Sequence, residues 1–563
     1  MNEPPRNPVA CGALGHYDRA VVERIAAALP AVPGEVHADR RSCLWLDREP
    51  LRWRSGLRHG LAWSERWPAP DAGSADTWQD AACGLDACGL VLGPRRRAVH
   101  SSVSGAAPVY WLDHEDATYF ASRIDALVRG AGVRLDTDWT TWASMFALRQ
   151  PLGERTPFHQ IRRLRQLALL ERADGRGRAD AAAWPWAEIE PHDNLDAAAE
   201  TTIGALHATI APLRETGAVV LLSGGLDSRV LLGVAHDAGV PLRALTAVAD
   251  DEIGWEADLA AAAARAAGAE HETFPVAGGS EHRRLWLEHV ESMDFQFVMG
   301  SFVMPMGPRL EELALPALDG FAIDTFGVQG GRSYGGEVLD PPAGYNVFQA
   351  LFQTMRTRAM PKVPDRALAA PYARAASAAT RRQFRREVKR FDGSGSQALL
   401  SVYAIRGMRV IALLPTQGMG RSARVVIPGG NDRTARAMLS VHPRHKRDRA
   451  FYNALFARID SPSARMPSVA DTPRPPVRQT GRRNRFAPEM LELYDRSLRD
   501  GPLTPHLGPK LAGHLRDGTL PEAIRGTSMH RAVMILTVFH LWTERYSDRL
   551  RTVDPAELLE ESA

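Results

Sequence analysis

The run Val219-Val220-Leu221-Leu222-Ser223-Gly224-Gly225-Leu226-Asp227-Ser228-Arg229 commits the middle of the chain to one local arrangement, an apolar strand that empties into a small-residue turn and then a helix. Two glycines allow a tight bend that exposes backbone N–H groups, Ser223 and Ser228 add hydroxyl donors, and the helix presents its positive end. Such a turn suits a phosphate, so Leu222, Ser223, Gly224, Gly225, Leu226, Asp227 and Ser228 are the expected contacts of ATP or pyrophosphate. Asp227 is out of place among anion-binding donors unless a cation joins it. A magnesium ion bridging Asp227 and the phosphates resolves that conflict. The spacing lacks the Gly-Lys-Ser/Thr ending of a Walker loop. A tight turn whose serine caps the helix is the alternative reading of the same residues.

The surrounding pattern places this turn in an α/β fold. Residues 195–214 read as a helix before the strand at Val219, residues 229–238 carry apolar positions at helical spacing, Leu242–Val248 reads as a second strand, and residues 256–267 as an alanine-rich helix. Strand and helix in alternation require a parallel, doubly wound sheet, with ligand beyond the carboxyl ends of the strands. A helical extension follows, clearest at residues 372–390 and 528–545. In the latter, Met529, Val533, Leu536 and Phe539 or His540 share a face expected to pack against the nucleotide-binding half. Residues 473–485 hold three prolines and five arginines and read as a flexible basic loop.

Residues 10–190 differ. Gly89-Leu90-Val91-Leu92, Pro108-Val109-Tyr110-Trp111-Leu112 and Thr118-Tyr119-Phe120-Ala121 are short strands broken by Gly, Pro and Asp, as in a layered α+β domain. The Asp/Gly/Arg-rich residues 173–183 read as a boundary, giving two domains, 10–190 and 195–550. The 563 residues suffice for two full cores. A net charge of +3 gives no general attraction to nucleic acid or membrane. No apolar run approaches the roughly 20 residues that span a bilayer, and the start Met1-Asn2-Glu3-Pro4-Pro5 has no signal-peptide core. A cytoplasmic protein without a membrane span is expected. The cysteines Cys11, Cys43, Cys83 and Cys88 are too sparse for a disulfide framework or a zinc site.

Further along, Leu318-Asp319-Gly320-Phe321-Ala322-Ile323-Asp324-Thr325-Phe326 sets a second carboxylate behind an apolar segment and a glycine. Asp227 and Asp324 together suit an oxygen-liganded magnesium ion, and Gly320 joins the phosphate-binding set. Asp324 as the cap of a local turn is the other reading.

These residues carry a resemblance to the asparagine synthetase-like family. Ser223-Gly224-Gly225-Leu226-Asp227-Ser228 looks like its pyrophosphatase (PP) loop, Asp324 stands in its second acidic loop, and residues 256–271 are similar to its acidic-start helix ending in Gly-x-Glu-His. Arg424-Val425-Val426-Ile427-Pro428 with Asp432 is similar to Arg-Val-Pro-Phe-Leu-Asp, and Cys11-Gly12-Ala13-Leu14-Gly15 to Cys-Gly-Ile-x-Gly. The resemblance implies an N-terminal glutaminase-like (Ntn-type) domain followed by a PP-loop ATP pyrophosphatase domain. It also implies ATP and Mg2+ as cofactors, and AMP and pyrophosphate as products. His442-Pro443-Arg444-His445-Lys446-Arg447 resembles the segment that supplies a catalytic lysine, which makes Lys446, then Arg449, the implied catalytic cations. Tyr334, Tyr403 and Glu337 are available as bases for an amine step.

The departures direct the expectation. Cys11 is not the first residue, so its thiol has no adjacent free amine to activate it, and it reads as a buried thiol in a disabled glutaminase domain. Thr325 replaces the glutamate usual in the second loop, and Phe321 replaces an acidic residue of asparagine-forming members. The β-lactam synthetase and lasso-peptide cyclase branches, which use an amine already on the substrate, are the most similar. They imply a ligase that closes a macrolactam through an acyl-adenylate, with a carboxylate- and amine-bearing small molecule or peptide as substrate. A precursor-processing protein is a further expected partner, and nucleic acid is not. Asparagine synthesis, β-lactam formation and an inactive partner-binding homologue are the alternatives.

Overall fold

The antiparallel half of the molecule is built from two six-stranded sheets laid face to face. Strand Ala10–Gly15 sits inside the first, between Ser42–Leu46 and Ala117–Ala121, and the order continues to Gly34–Asp39 at one edge and through Tyr110–His114 to Arg162–Arg163 at the other. The second runs Arg176–Ala181, Ala168–Ala173, Arg97–His100, Ala87–Leu92, Arg58–Ser64, Leu51–Ser55. Alternate side chains explain the layering. Leu14, Leu44, Leu61, Leu90, Val99 and Phe120 meet between the sheets, whereas Cys11 and Ala13, pointing the other way, pack under helices Arg19–Ala27 and Ile124–Ala131. The computed structural model describes residues 6–55, 57–64, 77–94, 96–248, 254–327, 336–339, 341–342, 344–359, 367–447, 449–469, 471–473 and 486–560.

Residues 173–183 are not a boundary. Asp174 and Gly175, at φ of 50° and 75°, form the tight turn of a hairpin whose second strand, Arg176–Ala181, is a sheet edge. An Asp-Gly pair takes this left-handed geometry readily, and its polar edge strand has the composition of a linker.

The other sheet is parallel throughout, in the order Glu270–Pro275, Leu242–Val248, Ala218–Leu221, Ala317–Leu318, Val425–Val426. The chain starts in the centre, builds outward on one side, then returns to build on the other. The reversal falls between Ala218–Leu221 and Ala317–Leu318, and the crevice outside such a reversal is where ligands of parallel sheets sit. Both faces are covered, Val220 lying in one apolar core with Val230 and Leu231 and Val219 in another with Val303, Met306 and Leu310. The Leu195–Ile210, Leu226–Asp237 and Trp255–Ala266 helices fall where periodicity placed them.

Helix Thr527–Arg545 packs elsewhere than expected. Its Phe539 meets Trp139, Trp142 and Phe146 of helix Trp139–Leu148 at ring-centroid distances of 5.5, 4.7 and 5.9 Å. An apolar stripe dictates burial without naming its partner, and here the partner is an aromatic stripe of the antiparallel half. Residues 397–421 form one helix long and apolar enough to cross a bilayer, but 83% of its apolar window is buried inside the protein. Its middle widens into i→i−5 hydrogen bonding, as from the Ala412 N–H to the Gly407 carbonyl at 2.9 Å.

Candidate nucleotide site

The turn after strand Ala218–Leu221 is held open by its own serines. The Ser223 N–H donates to Ser228 Oγ at 3.0 Å, the two hydroxyls are 3.1 Å apart, and Gly225 N–H donates to Ser223 Oγ at 3.2 Å. Helix Leu226–Asp237 begins at Gly225 with no side-chain cap. The N-cap position is thus a glycine and not a serine, and an anion is a natural complement of such a helix start. Neither Gly224 nor Gly225 has a positive φ. Gly224 is needed for close approach, since a Cβ there would lie 2.7 Å from Val469 Cγ1 and 3.1 Å from the Glu256 carbonyl oxygen.

The second acidic loop leaves the neighbouring strand, Ala317–Leu318, and touches the first. A Cβ on Gly320 would sit 3.2 Å from both Asp227 Cβ and Ser228 N. Asp227 and Asp324 each occupy the first turn of a helix, Leu226–Asp237 and Ile323–Gly327, where a carboxylate is favoured by the helix dipole. Between them stands Tyr452, fully buried on helix Ala450–Phe456, whose hydroxyl donates to Asp227 Oδ1 and lies 3.2 Å from the Ile323 carbonyl oxygen. Burial, then the charges of Asp227 and Asp324, hold this phenol well above its usual range. Asp319 completes the patch. Burial pushes its carboxyl up to about 6 despite the hydrogen bond donated by Phe321 N–H at 2.7 Å, and the charge of Asp324 adds to the rise.

A hard divalent cation fits this donor set. The charge of Asp324 acts on Asp319, and the charges of Asp227 and Asp324 act together on Tyr452, so the three carboxylates set a negative field at this point. No cluster of three or more His, Cys, Asp or Glu in metal-binding arrangement occurs among those residues. Two carboxylates with phosphate oxygens and water are the usual surroundings of magnesium, which seldom takes a full protein cage.

The cations predicted from sequence flank the helix that carries Tyr452. Lys446 is completely buried at the end of the turn Pro443–Lys446, its Nζ donating to the Met438 carbonyl at 2.8 Å, 5.8 Å from the Phe451 ring centre. Burial lowers its ammonium to about 7. Arg449, at the start of the Tyr452 helix, is ion-paired with Asp471 at 3.0 Å. Against the effect of burial, hydrogen bonds from the Ser468 hydroxyl and N–H and the charge of Arg449 bring Asp471 down to about 2. Residues 461–469 thus lie beside the loop, and the Val469 N–H donates to the Gly224 carbonyl at 2.9 Å. Arg229, buried one turn into the loop helix, donates to the Met466 carbonyl of the same segment.

The remaining sequence candidates lie in varied surroundings. The Tyr403 hydroxyl is engaged by the Ser104 carbonyl at 3.1 Å, and its ring stacks on Phe321 and Phe326, so it supports the second loop from below. Tyr334 and the Glu337 side chain lie outside the described residues. Residues 424–432 supply the last parallel strand and a turn beneath the second loop, where a Cβ on Gly429 would lie 2.8 Å from Phe321 O. Cys11 is buried in its strand, and desolvation and neighbouring Cys43 push its thiol far up, away from any nucleophilic state. Sequence reasoning missed Asp319, Tyr452 and Asp471. Asp319 sits in a segment already singled out, whereas nothing local marks Tyr452 among the tyrosines of the chain.

No protein-family model matches this sequence, and no curated protein matches it significantly.

Proposed function

We propose that the chain is an AMP-forming amide ligase, with a degenerate glutaminase-like domain ahead of a PP-loop ATP pyrophosphatase domain. One observation carries the reading: the uncapped Ser223–Ser228 turn and the Asp324 loop leave adjacent parallel strands at the point where strand order reverses, and they touch at Gly320. A ligand of mixed charge, phosphate with a divalent cation, answers both halves of that arrangement.

In this reading the first-turn N–H groups and the hydroxyls of Ser223 and Ser228 hold the β- and γ-phosphates. Asp227 and Asp324 would hold magnesium, which when bound neutralises charge on the departing pyrophosphate. A substrate carboxylate attacks the α-phosphorus, forming an acyl-adenylate as the α–β bridge breaks. An amine of the same substrate then displaces AMP. Lys446, in its protonated form, would steady the developing carbonyl oxyanion. Intramolecular closure needs mainly orientation, which favours a macrolactam from a peptide precursor. A cytoplasmic setting, with its supply of ATP and magnesium, belongs to the same proposal.

The test is incubation of the purified protein with ATP, magnesium and candidate precursor peptides, read by mass spectrometry. Loss of one water from a precursor, dependent on ATP, is expected. Asparagine formed from aspartate with ammonia or glutamine would contradict the reading. Cys11→Ala is expected to leave ATP turnover unchanged, because the thiol is sealed within the antiparallel half; a loss of turnover in a folded variant would restore a role for that domain.

Tyr452→Phe removes only the hydroxyl that holds Asp227. A hydrogen bond to a charged group contributes about 1.5–3 kcal/mol, so Mn2+ affinity, followed by electron paramagnetic resonance in the presence of ATP, is expected to fall roughly tenfold or more. Unchanged Mn2+ binding would show that the phenol is packing alone.

A further inference from the structure

Away from the nucleotide site, helix Ala370–Lys389 turns a dense row of cations to solvent. Arg381, Arg382, Arg385, Arg386 and Lys389 are all exposed, and Arg390 continues the row at the helix end. From Arg381 to Arg390 the row covers about 13 Å at 1.5 Å per residue. The acid of this stretch, Glu387, points inward and is taken by Arg165 at 2.6 Å and Arg390 at 3.3 Å. No carboxylate among the described residues pairs with Arg385, Arg386 or Lys389.

Beside the row runs an open groove of about 510 Å³, with Tyr345, Val347, Phe348 and Val388 supplying its apolar lining and Arg385 and Lys389 its charged rim. Arg385 lies 4.7 Å and Arg381 5.4 Å from the Phe348 ring centre, and Arg381 also donates to Gln349 Oε1 at 2.8 Å. Stacking fixes these guanidinium planes in advance, so little side-chain freedom is lost when an anion meets them. The groove's own carboxylate, Asp392, accepts from Gln397 Nε2 at 2.6 Å. Helix Gly336–Leu339 packs against both helix Val347–Ala359, the groove wall, and the Pro443–Lys446 turn. A single short helix separates the groove from the element that carries Lys446.

We propose that this groove docks an acidic peptide segment with an apolar side chain, the apolar group entering between Phe348 and Val388 and its flanking carboxylates meeting Arg385, Arg386 and Lys389. The inference rests on the reading of the chain as a peptide-acting ligase, and it assigns the segment to the acyl substrate. The whole chain is almost neutral, at +3, so the charge is local to this face. Arg381 and Arg385 already lie over the Phe348 ring, and the apolar lining of Tyr345, Val347, Phe348 and Val388 suits an aliphatic side chain, which a nucleic acid lacks. A peptide therefore fits better than single-stranded nucleic acid.

Fluorescence anisotropy with the full-length protein tests the proposal, using a labelled peptide with one Leu between pairs of Glu, the same peptide with Ser for Leu, and an oligothymidylate of equal charge. Binding of the Leu peptide is expected, weaker for the Ser peptide and weakened by salt as charges are screened. Arg385→Glu combined with Lys389→Glu should lower the affinity at least about tenfold, as reversal of rim charges does, with an unchanged melting temperature. No binding, equal binding by the double variant, or tighter binding of the oligothymidylate would overturn the proposal. Anisotropy reads binding alone, and ATP turnover is measured separately. Peptide binding without turnover would leave the docking face standing and remove the ligase reading, and turnover without peptide binding would do the reverse.

Discussion

Asp227→Asn is expected to stop release of AMP and pyrophosphate, by about 10²–10³-fold or more, the usual loss when one preorganised group facing transition-state charge is removed. The fold should not suffer. Asparagine has the shape of aspartate and still accepts the Tyr452 hydroxyl, while loss of one negative charge relieves repulsion with Asp324 and Asp319. Circular dichroism and the melting temperature are therefore expected to match wild type or rise slightly. Asp324→Asn should give the same loss, since both carboxylates serve one cation. A folded Asp227→Asn protein that retains turnover would remove the metal assignment.

Lys446→Met is expected to move activity and stability in opposite directions. An ammonium held by the Met438 carbonyl and buried beneath Phe451 opposes folding, and its pKa falls from 10.5 to about 7. Below about pH 7 both folded and unfolded chains hold the proton, so the destabilisation is complete. Between about pH 7 and 10.5 the unfolded chain binds more protons than the folded one, so wild-type stability rises with pH across that window. Methionine fills similar volume without the charge. Lost hydrogen bonding to Met438 subtracts about 1 kcal/mol, and the net gain at neutral pH should be on the order of 1–3 kcal/mol. That gain should shrink as pH is raised toward 10. ATP turnover should fall sharply in the same variant. Denaturant unfolding at pH 7 and pH 9.5 reads the first effect and nucleotide release the second. A variant that is less stable at pH 7, or more stable and fully active, would show that the lysine is ordinary packing.

The opposing effects explain why Lys446 could be selected from its sequence neighbourhood but not understood from it. Its position after His442-Pro443 is local information, whereas its burial against Met438 and Phe451 arises only when two helices meet. The same distinction runs through the fold. Ala218–Leu221 and Leu242–Val248 were legible because both are apolar runs followed by helical periodicity. Glu270–Pro275 gave no strand signal, since it is an edge strand with several polar side chains left to solvent. Ala317–Leu318 and Val425–Val426 are two residues each, too short for any period to register, yet they complete the crevice.

Glycine roles divided in the same manner. The loop glycines were expected to supply unusual backbone angles, but Gly224 and Gly320 are needed for the absence of a side chain where other segments press close. Sequence spacing marks a glycine without telling which of the two reasons applies. Tyr452 lies 225 positions from Asp227, and only the folded chain joins them.

The central claim is that ATP is cut between its α- and β-phosphates to activate a carboxyl group. The most direct measurement is the fate of α- and γ-labelled ATP with the purified protein, magnesium and a peptide carrying both an acid and an amine. Labelled AMP and labelled pyrophosphate in equal amounts, with exchange of free pyrophosphate into ATP, are the predicted result. ADP with orthophosphate would contradict it.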